Sequence, residues 1–252
     1  MPEAMLAARG ITRRFGGLVA VNDVSLDLHR GTVHAVIGTN GAGKSTLINI
    51  LSGELLASAG QVLLEGRDIT AWPQPQRARG GLGRSYQRST IFPTLSVHEN
   101  CRLAAQAGRQ QFWHWWRSAA DCPHSTERAH QVLERTGLAN SAATPAGLLP
   151  HGHKRQLEIA MCLASHPQVL LLDEPLAGMG PEETERILAL LQSLKAEHAI
   201  LLVEHDMDAV FGNADIITVM VNGSAIACGT PAQIRANPQV QNAYLGDGPC
   251  MH

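Results

Sequence analysis

The string Gly38-Thr39-Asn40-Gly41-Ala42-Gly43-Lys44-Ser45 fits GxxxxGK[ST] and constrains the fold more than any other stretch of the 252 residues. Its glycines let the backbone curl so that successive N–H groups converge on the β- and γ-phosphates of a ligand. The helix that follows adds partial positive charge at its start, with Thr46 in its first turn; Lys44 adds a full charge, and the Ser45 hydroxyl is placed for Mg²⁺. A glycine-rich turn without a ligand has no need of Lys-Ser at that point, and Lys154 and Lys195 are the only other lysines. Residues 33–37 (VHAVI) read as a short buried strand entering the loop, and Lys44 to Ser52 as the helix leaving it.

Further continuous apolar runs of strand length lie at 168–172, 199–203 and 215–221, as expected for strands covered on both faces. Between the first two, Pro181 stands where a first helical turn would begin, and Ile187, Leu190, Leu191 and Leu194 recur on one helical face. Strands alternating with helices predict an α/β fold with a parallel sheet. The Asn222-Gly223 pair between 217–221 and 224–228 predicts a hairpin, so an antiparallel pair should end that sheet. The middle differs in texture. Ser96 with Glu99 three residues on is a capping box opening a helix through about Ala107, and a second helix is expected near 126–136. Residues 89–165 therefore read as a mostly helical insert in a core formed by about 1–88 and 166–252, the whole chain 1–252 making one domain.

The residues that follow the loop supply chemistry. Val169-Leu170-Leu171-Leu172-Asp173-Glu174 is an apolar strand ending in two carboxylates, which is costly structurally and useful beside a metal. Asp173 can hold Mg²⁺ through water while Glu174 polarises the attacking water, the division of labour that phosphoryl transfer to water requires. Charge argues against one other class: Lys+Arg 20 against Asp+Glu 22 leaves a net charge of −2, without the basic field that non-specific nucleic-acid binding needs. No uncharged apolar run approaches the roughly 20 residues of a membrane span, and residues 1–10 lack a signal-peptide core. Cys101, Cys122, Cys162, Cys228 and Cys250, odd in number and without a CxxC pair, fit reduced thiols, and the chain is expected on the cytoplasmic side.

Taken in order, the loop at 38–45, Gln87 after Gly83-Arg84-Ser85-Tyr86, Leu149-Pro150-His151-Gly152-His153 before a basic helix, Asp173-Glu174-Pro175, and His205 after Leu201-Leu202-Val203-Glu204 resemble the nucleotide-binding subunit of an ABC transporter over almost the whole chain. The resemblance implies a P-loop NTPase core with a parallel sheet, an antiparallel β part and an inserted helical subdomain, and an ATPase with ATP and Mg²⁺ as cofactors. It assigns Phe15 to stacking on adenine, Gln87 to sensing Mg²⁺ and water, and His205 to a γ-phosphate contact. Gly152 would act across a dimer on the ATP held by the other protomer, whose residues 38–45 form the second half of the sandwich. Phe15-Gly16-Gly17, Glu174-Pro175-Leu176-Ala177-Gly178-Met179 and Gly229-Thr230-Pro231 further resemble ATP-binding subunits of branched-chain amino-acid importers; urea importers and the lipopolysaccharide-export ATPase share parts of this set.

The implied partners are transmembrane permease subunits, a second ATP-binding subunit, identical or homologous, and a periplasmic binding protein of the same system that makes no direct contact. No nucleic acid is expected, and the place is peripheral, on the cytoplasmic face of the inner membrane. A soluble ABC ATPase acting on ribosomes or DNA is the rival class, but neither a second cassette nor a long coiled coil is here. Three positions depart from the family pattern: LSGGQ reads Leu149-Pro150-His151-Gly152-His153, Gly180 stands where many members carry Asp, and Thr39 replaces a common Pro. Pro150 brings neither a hydroxyl nor an N–H, and His151 and His153 are candidates to replace the lost donor. Phe112-Trp113-His114-Trp115-Trp116 reads either as part of the insert's own core or as a contact with permease or lipid headgroups.

Overall fold

The structure is a computed structural model that describes residues 4–86, 90–107 and 123–245, the side chains of Tyr244 and Leu245 excepted. Gln87 and the aromatic run 112–116 lie outside the described residues, as do Cys122 and Cys250. A central sheet runs in the order β10 (Ser224–Gly229), β9 (Ile216–Val221), β3 (Val33–Gly38), β8 (Ala199–Val203), β7 (Val169–Asp173), β6 (Leu82–Arg84). All neighbours are parallel except β9 and β10, which form the hairpin predicted from Asn222-Gly223. Both hairpin residues sit at positive φ, 48° and 82°, the requirement of a two-residue turn whose twist matches its strands.

Every residue of β3, β7 and β8 is buried, because the sheet is covered on both sides. Alternation divides their side chains between two interiors. Leu170, Leu172, Ile200 and Leu202 pack with helices α5 (His151–Ala164) and α6 (Pro181–Leu194); Val169, Leu171, Leu201 and Val203 pack with α1 (Lys44–Ser52) and a second sheet. That second sheet is antiparallel, in the order β2 (Leu18–Leu28), β1 (Leu6–Phe15), β4 (Ala59–Leu64), β5 (Arg67–Asp68). Its inner residues, among them Leu6, Ile11, Val24 and Val62, close over Leu47, Ile48, Ile50 and Leu51 of α1. Short helices α7 (Met207–Asn213), α8 (Pro231–Arg235) and α9 (Pro238–Leu245) bury Val210, Ile234 and Val240 against Ala35, Ile37, Ile217 and Val219.

A helix end leaves carbonyls without intrahelical donors, and here a cation collects them. α1 stops at Gly53, whose φ of 81° lets its N–H turn back to Asn49 and Ile50. The guanidinium of Arg77, on α2 (Gln74–Arg79), then donates to the carbonyls of Ile50 at 2.7 Å, Leu51 at 2.8 Å, Thr70 at 2.8 Å and Trp72 at 3.0 Å. Only 1% of Arg77 is exposed, and burial pulls its pKa down to about 10.

Between β6 and β7 the described residues include three α-helices, α3 (Val97–Ala107), α4 (Pro123–Arg135) and α5. The Ser96 hydroxyl accepts the Glu99 N–H at 3.1 Å, the cap read from sequence, and Val97, Cys101 and Ala105 recur at four-residue spacing into the core. The second helix is described over Pro123–Arg135, against an expectation near 126–136. Buried Asn100 accepts the Phe92 N–H at 2.7 Å and donates to the carbonyls of Phe92 and Ser96, which ties the chain entering α3 to its first turn.

Candidate nucleotide site

The parallel strands bring their C-terminal ends to one edge of the sheet, where α/β folds place ligands. Residues 38–43 link β3 to α1 at that edge, and close backbone packing dictates the glycines. A Cβ on Gly38 would lie 2.3 Å from the Met220 carbonyl oxygen, and one on Gly43, at φ 95°, would lie 2.4 Å from that of Ala20. The Gly223 N–H donates to the Ala42 carbonyl at 3.1 Å, so the hairpin tip braces the loop from behind. Gly41, at φ 79°, has open space in front of it.

Lys44 is the first residue of α1 and is buried; its Nζ donates to the carbonyls of Gly38 at 2.7 Å and Thr39 at 3.1 Å. The ammonium thus sits inside the curl of its own loop. Burial lowers its pKa, against the opposing effect of the Glu174 and Asp173 carboxylates. An open cleft of about 500 Å³ is lined by residues 40–46, by Phe15 and Val19, by Glu174, and by Asn222 and Gly223. Ser45 is exposed in the first turn of α1, where the leading N–H groups have no intrahelical partners. Phe15, at the end of β1, is 46% exposed.

β7 delivers the two acids differently. Asp173 is the last residue of the strand, 4% exposed, with Oδ2 3.7 Å from Nη2 of Arg84. Its Oδ1 is buried and has no partner among the described residues, and burial raises the carboxyl pKa while Arg84 lowers it. A desolvated carboxylate with one unsatisfied oxygen beside a phosphate loop fits a divalent cation. Glu174 leaves the strand at φ 48°, so its side chain lines the cleft instead of continuing the alternation into the core.

Several residues that shape the site were not singled out from the sequence. Glu204, at the end of β8, is 1% exposed and accepts the N–H groups of Leu176 at 2.8 Å and His205 at 3.2 Å. It fixes the turn after Glu174; burial raises its pKa against those two backbone bonds. Its place next to His205 was the available signal. The Arg84 side chain is 7% exposed; it pairs with Glu54 at 2.8 Å, donates to Asn49 and Ser52 of α1, and its guanidinium carbon lies 4.8 Å from the Tyr86 ring centre. Arg155 of α5 donates to the Tyr86 carbonyl at 3.0 Å and pairs with Glu158 at 2.8 Å. Together they tie α1 and Asp173 to the residue before Gln87 and to the basic helix.

Within one chain the other expected residues stand apart from the cleft. The His205 side chain is 60% exposed and lies 3.8 Å from Glu204. At the start of α5, His151 Nε2 is 3.1 Å from the Ala177 carbonyl and donates to it, which turns that ring toward the loop after β7. Gly152 packs on the first turn of α6: a Cβ there would sit 2.5 Å from Glu183 Oε1. His151, Gly152, His153 and His205 are not among the residues lining the cleft. The cleft itself can cradle a polyphosphate against N–H groups and Lys44, offer Phe15 to a base, and bring Glu174 near the phosphates.

Known proteins carry the same architecture. The ABC transporter family matches residues 21–177, and the branched-chain amino acid ATP-binding cassette transporter family matches residues 226–249. The high-affinity branched-chain amino acid transport ATP-binding protein LivG of Escherichia coli K12 is 39% identical over 98% of this chain and 100% of its own length. BraF of Pseudomonas aeruginosa, of the same description, matches with the same identity and coverage. A nucleotide-free ATP-binding cassette from an ABC transporter superposes with a TM-score of 0.86 at 30% identity, covering 97% of this chain and 100% of that one. The ADP conformation of such a cassette gives 0.86 and 30%, over 97% and 99%.

Proposed function

The chain belongs to the ATP-binding subunits of ABC transporters, of the branched-chain amino-acid type, and from that premise we propose how its site works and what it serves. It is a transport-coupled ATPase subunit. Its proposed service is the import of branched-chain amino acids or related small molecules, supported by the descriptions of the LivG and BraF relatives. Its proposed partners are two permease subunits, a second ATP-binding subunit and a periplasmic binding protein that it does not touch. The helical insert, about 89–165, is its proposed subdomain. Its proposed place is peripheral, at the cytoplasmic face of the membrane, supported by the descriptions of the LivG and BraF relatives as ATP-binding proteins of a transport system; among the described residues no helix is long and apolar enough to cross a membrane.

The observation that carries the chemistry is the buried Lys44 ammonium held by the carbonyls of Gly38 and Thr39 beside a cleft shared with Phe15 and Glu174. On ATP binding those carbonyls give way to phosphate oxygens as Lys44 partners, and residues 40–46 supply N–H groups. Phe15 stacks on the adenine. Mg²⁺, for which Ser45, Asp173 and Gln87 are the proposed ligands, supplies charge neutralisation at the phosphate oxygens when bound. Glu174 orients the attacking water and takes its proton, and His205 swings from Glu204 to the γ-phosphate. Gly152, off the cleft in its own chain, serves the cleft of the other subunit, so that two MgATP are sandwiched and closure drives the permease.

The test pairs two variants with separate readouts. Glu174→Gln should retain ATP binding and lose turnover, whereas Lys44→Ala should lose both. Turnover at the wild-type level in Glu174→Gln would remove the base assignment, and undiminished ATP binding in Lys44→Ala would remove the phosphate role of the loop.

A further inference from the structure

Phe15 does not stand alone at the edge of the cleft. Arg13 lies two residues earlier on β1, and its Cζ is 4.6 Å from the centre of the Phe15 ring, a cation–π contact. The guanidinium is anchored on its other side, with Nη1 donating to the Leu56 carbonyl at 2.8 Å in the segment between α1 and β4. Its Nε is buried and has no acceptor among the described residues, as suits a guanidinium spread on an aromatic face. Phe15 lines the cleft and Arg13 does not, so the two side chains are stacked with the ring toward the cleft and the cation behind it.

A phenylalanine at the end of a strand, nearly half exposed, would otherwise rotate among rotamers, and a ligand that stacked on it would have to immobilise it. We propose that Arg13 is a positioning residue for the nucleobase: pinned to Leu56, it backs the Phe15 ring and holds its free face in place for a stacking purine. This rests on the assignment of Phe15 to base stacking. The device acts on the base and leaves the phosphate contacts alone, which sets it apart from a general effect of positive charge on a polyanion.

The test measures calorimetric dissociation constants for MgADP and for magnesium pyrophosphate, ligands that share phosphates and differ by the nucleoside. In Arg13→Met the constant for MgADP should rise about 3- to 10-fold while that for magnesium pyrophosphate stays unchanged. Arg13→Lys, which keeps the charge and loses the planar fork, should fall between, and it carries the same test should Arg13→Met fail to fold. In a Phe15→Ala background the Arg13 substitutions should have no further effect on MgADP. Unchanged MgADP affinity in Arg13→Met, an equal loss for both ligands, or an undiminished effect without Phe15 would each overturn the proposal while the stacking role of Phe15 stands. Phe15→Ala with wild-type MgADP affinity would instead sink the stacking assignment, and the positioning role with it.

Discussion

Two glycines of the phosphate loop, both at positive φ, should respond very differently to the same added methyl group. Alanine at position 43 must hold φ near 95° with its Cβ 2.4 Å from the Ala20 carbonyl oxygen and 3.5 Å from the Gly223 Cα, all backbone that cannot swing aside. The left-handed conformation costs an L-residue about 1–2 kcal/mol, and forcing a methyl into packed backbone about 1–3 kcal/mol more. The sum, about 2–5 kcal/mol, corresponds to a factor of roughly 30 to 5000 in an equilibrium constant. Alanine at position 41 meets nothing within 4 Å and bears only the conformational cost, about 1–2 kcal/mol. Where the loop keeps its shape the penalty appears as lost stability, and where it gives way, as lost affinity. Urea unfolding without nucleotide and MgADP titration are therefore both needed for each variant. Gly43→Ala matching or outperforming Gly41→Ala in both measurements would refute the claim that the strands behind the loop dictate its shape.

Two further outcomes follow from buried polar groups. Arg77→Met leaves the Leu51, Thr70 and Trp72 carbonyls without this donor, and Ile50 with only the Gly53 N–H, and should cost about 3 kcal/mol or more, a melting point lower by roughly 6–12 °C, with Arg77→Lys recovering only part; a melt within about 2 °C of wild type would contradict this. His34 is buried between the Asp27 carbonyl at 3.0 Å and the Thr218 hydroxyl at 2.8 Å, and burial lowers its pKa below the ordinary 6.5. The folded state therefore prefers the neutral ring: its contribution is fully present above about pH 6.5 and is lost as pH falls toward the folded pKa. Urea unfolding at pH 7.5 and pH 5.5, values of about one unit either side of the ordinary pKa, should show a smaller acid loss in His34→Gln than in wild type. Equal losses would remove His34 from the account.

What the sequence revealed and what it hid have physical reasons. The loop, α1 and the central strands were legible because each is dictated locally: glycines and Lys-Ser for the turn, unbroken apolar runs for strands buried on both faces. β7 and β9 start within one residue of expectation, and α1 spans the expected Lys44–Ser52. The long strands β1 and β2 were less legible, foreseen only as an antiparallel part, because three register shifts interrupt the period-two alternation that would announce them. In the site, Phe15, residues 40–46 and Glu174 do share one cleft. Arg84, Arg13 and Glu204 escaped notice because their importance lies in what they touch. A charged residue in a string such as Gly83-Arg84-Ser85-Tyr86 carries no local mark that it will be buried against Asn49, Glu54 and Asp173.

The alternation along β7 has a bearing on how this chain can change length. Leu170 and Leu172 face one interior, Val169 and Leu171 the other, and the same count of residues brings Asp173 to the strand end and Glu174 to its left-handed turn. Inserting or deleting a single residue there would exchange the two sets of apolar side chains and carry the acids off target in the same stroke. The segment therefore behaves like a reading frame, in which substitutions of similar bulk are survivable and single-residue gaps are not. β1 obeys a looser grammar: its bulges already absorb surplus residues, and the connection from α1 to β4 can lengthen at small entropic cost. Drift in length is thus confined to the antiparallel sheet and the surface, while the strand that carries the carboxylates can evolve only one letter at a time.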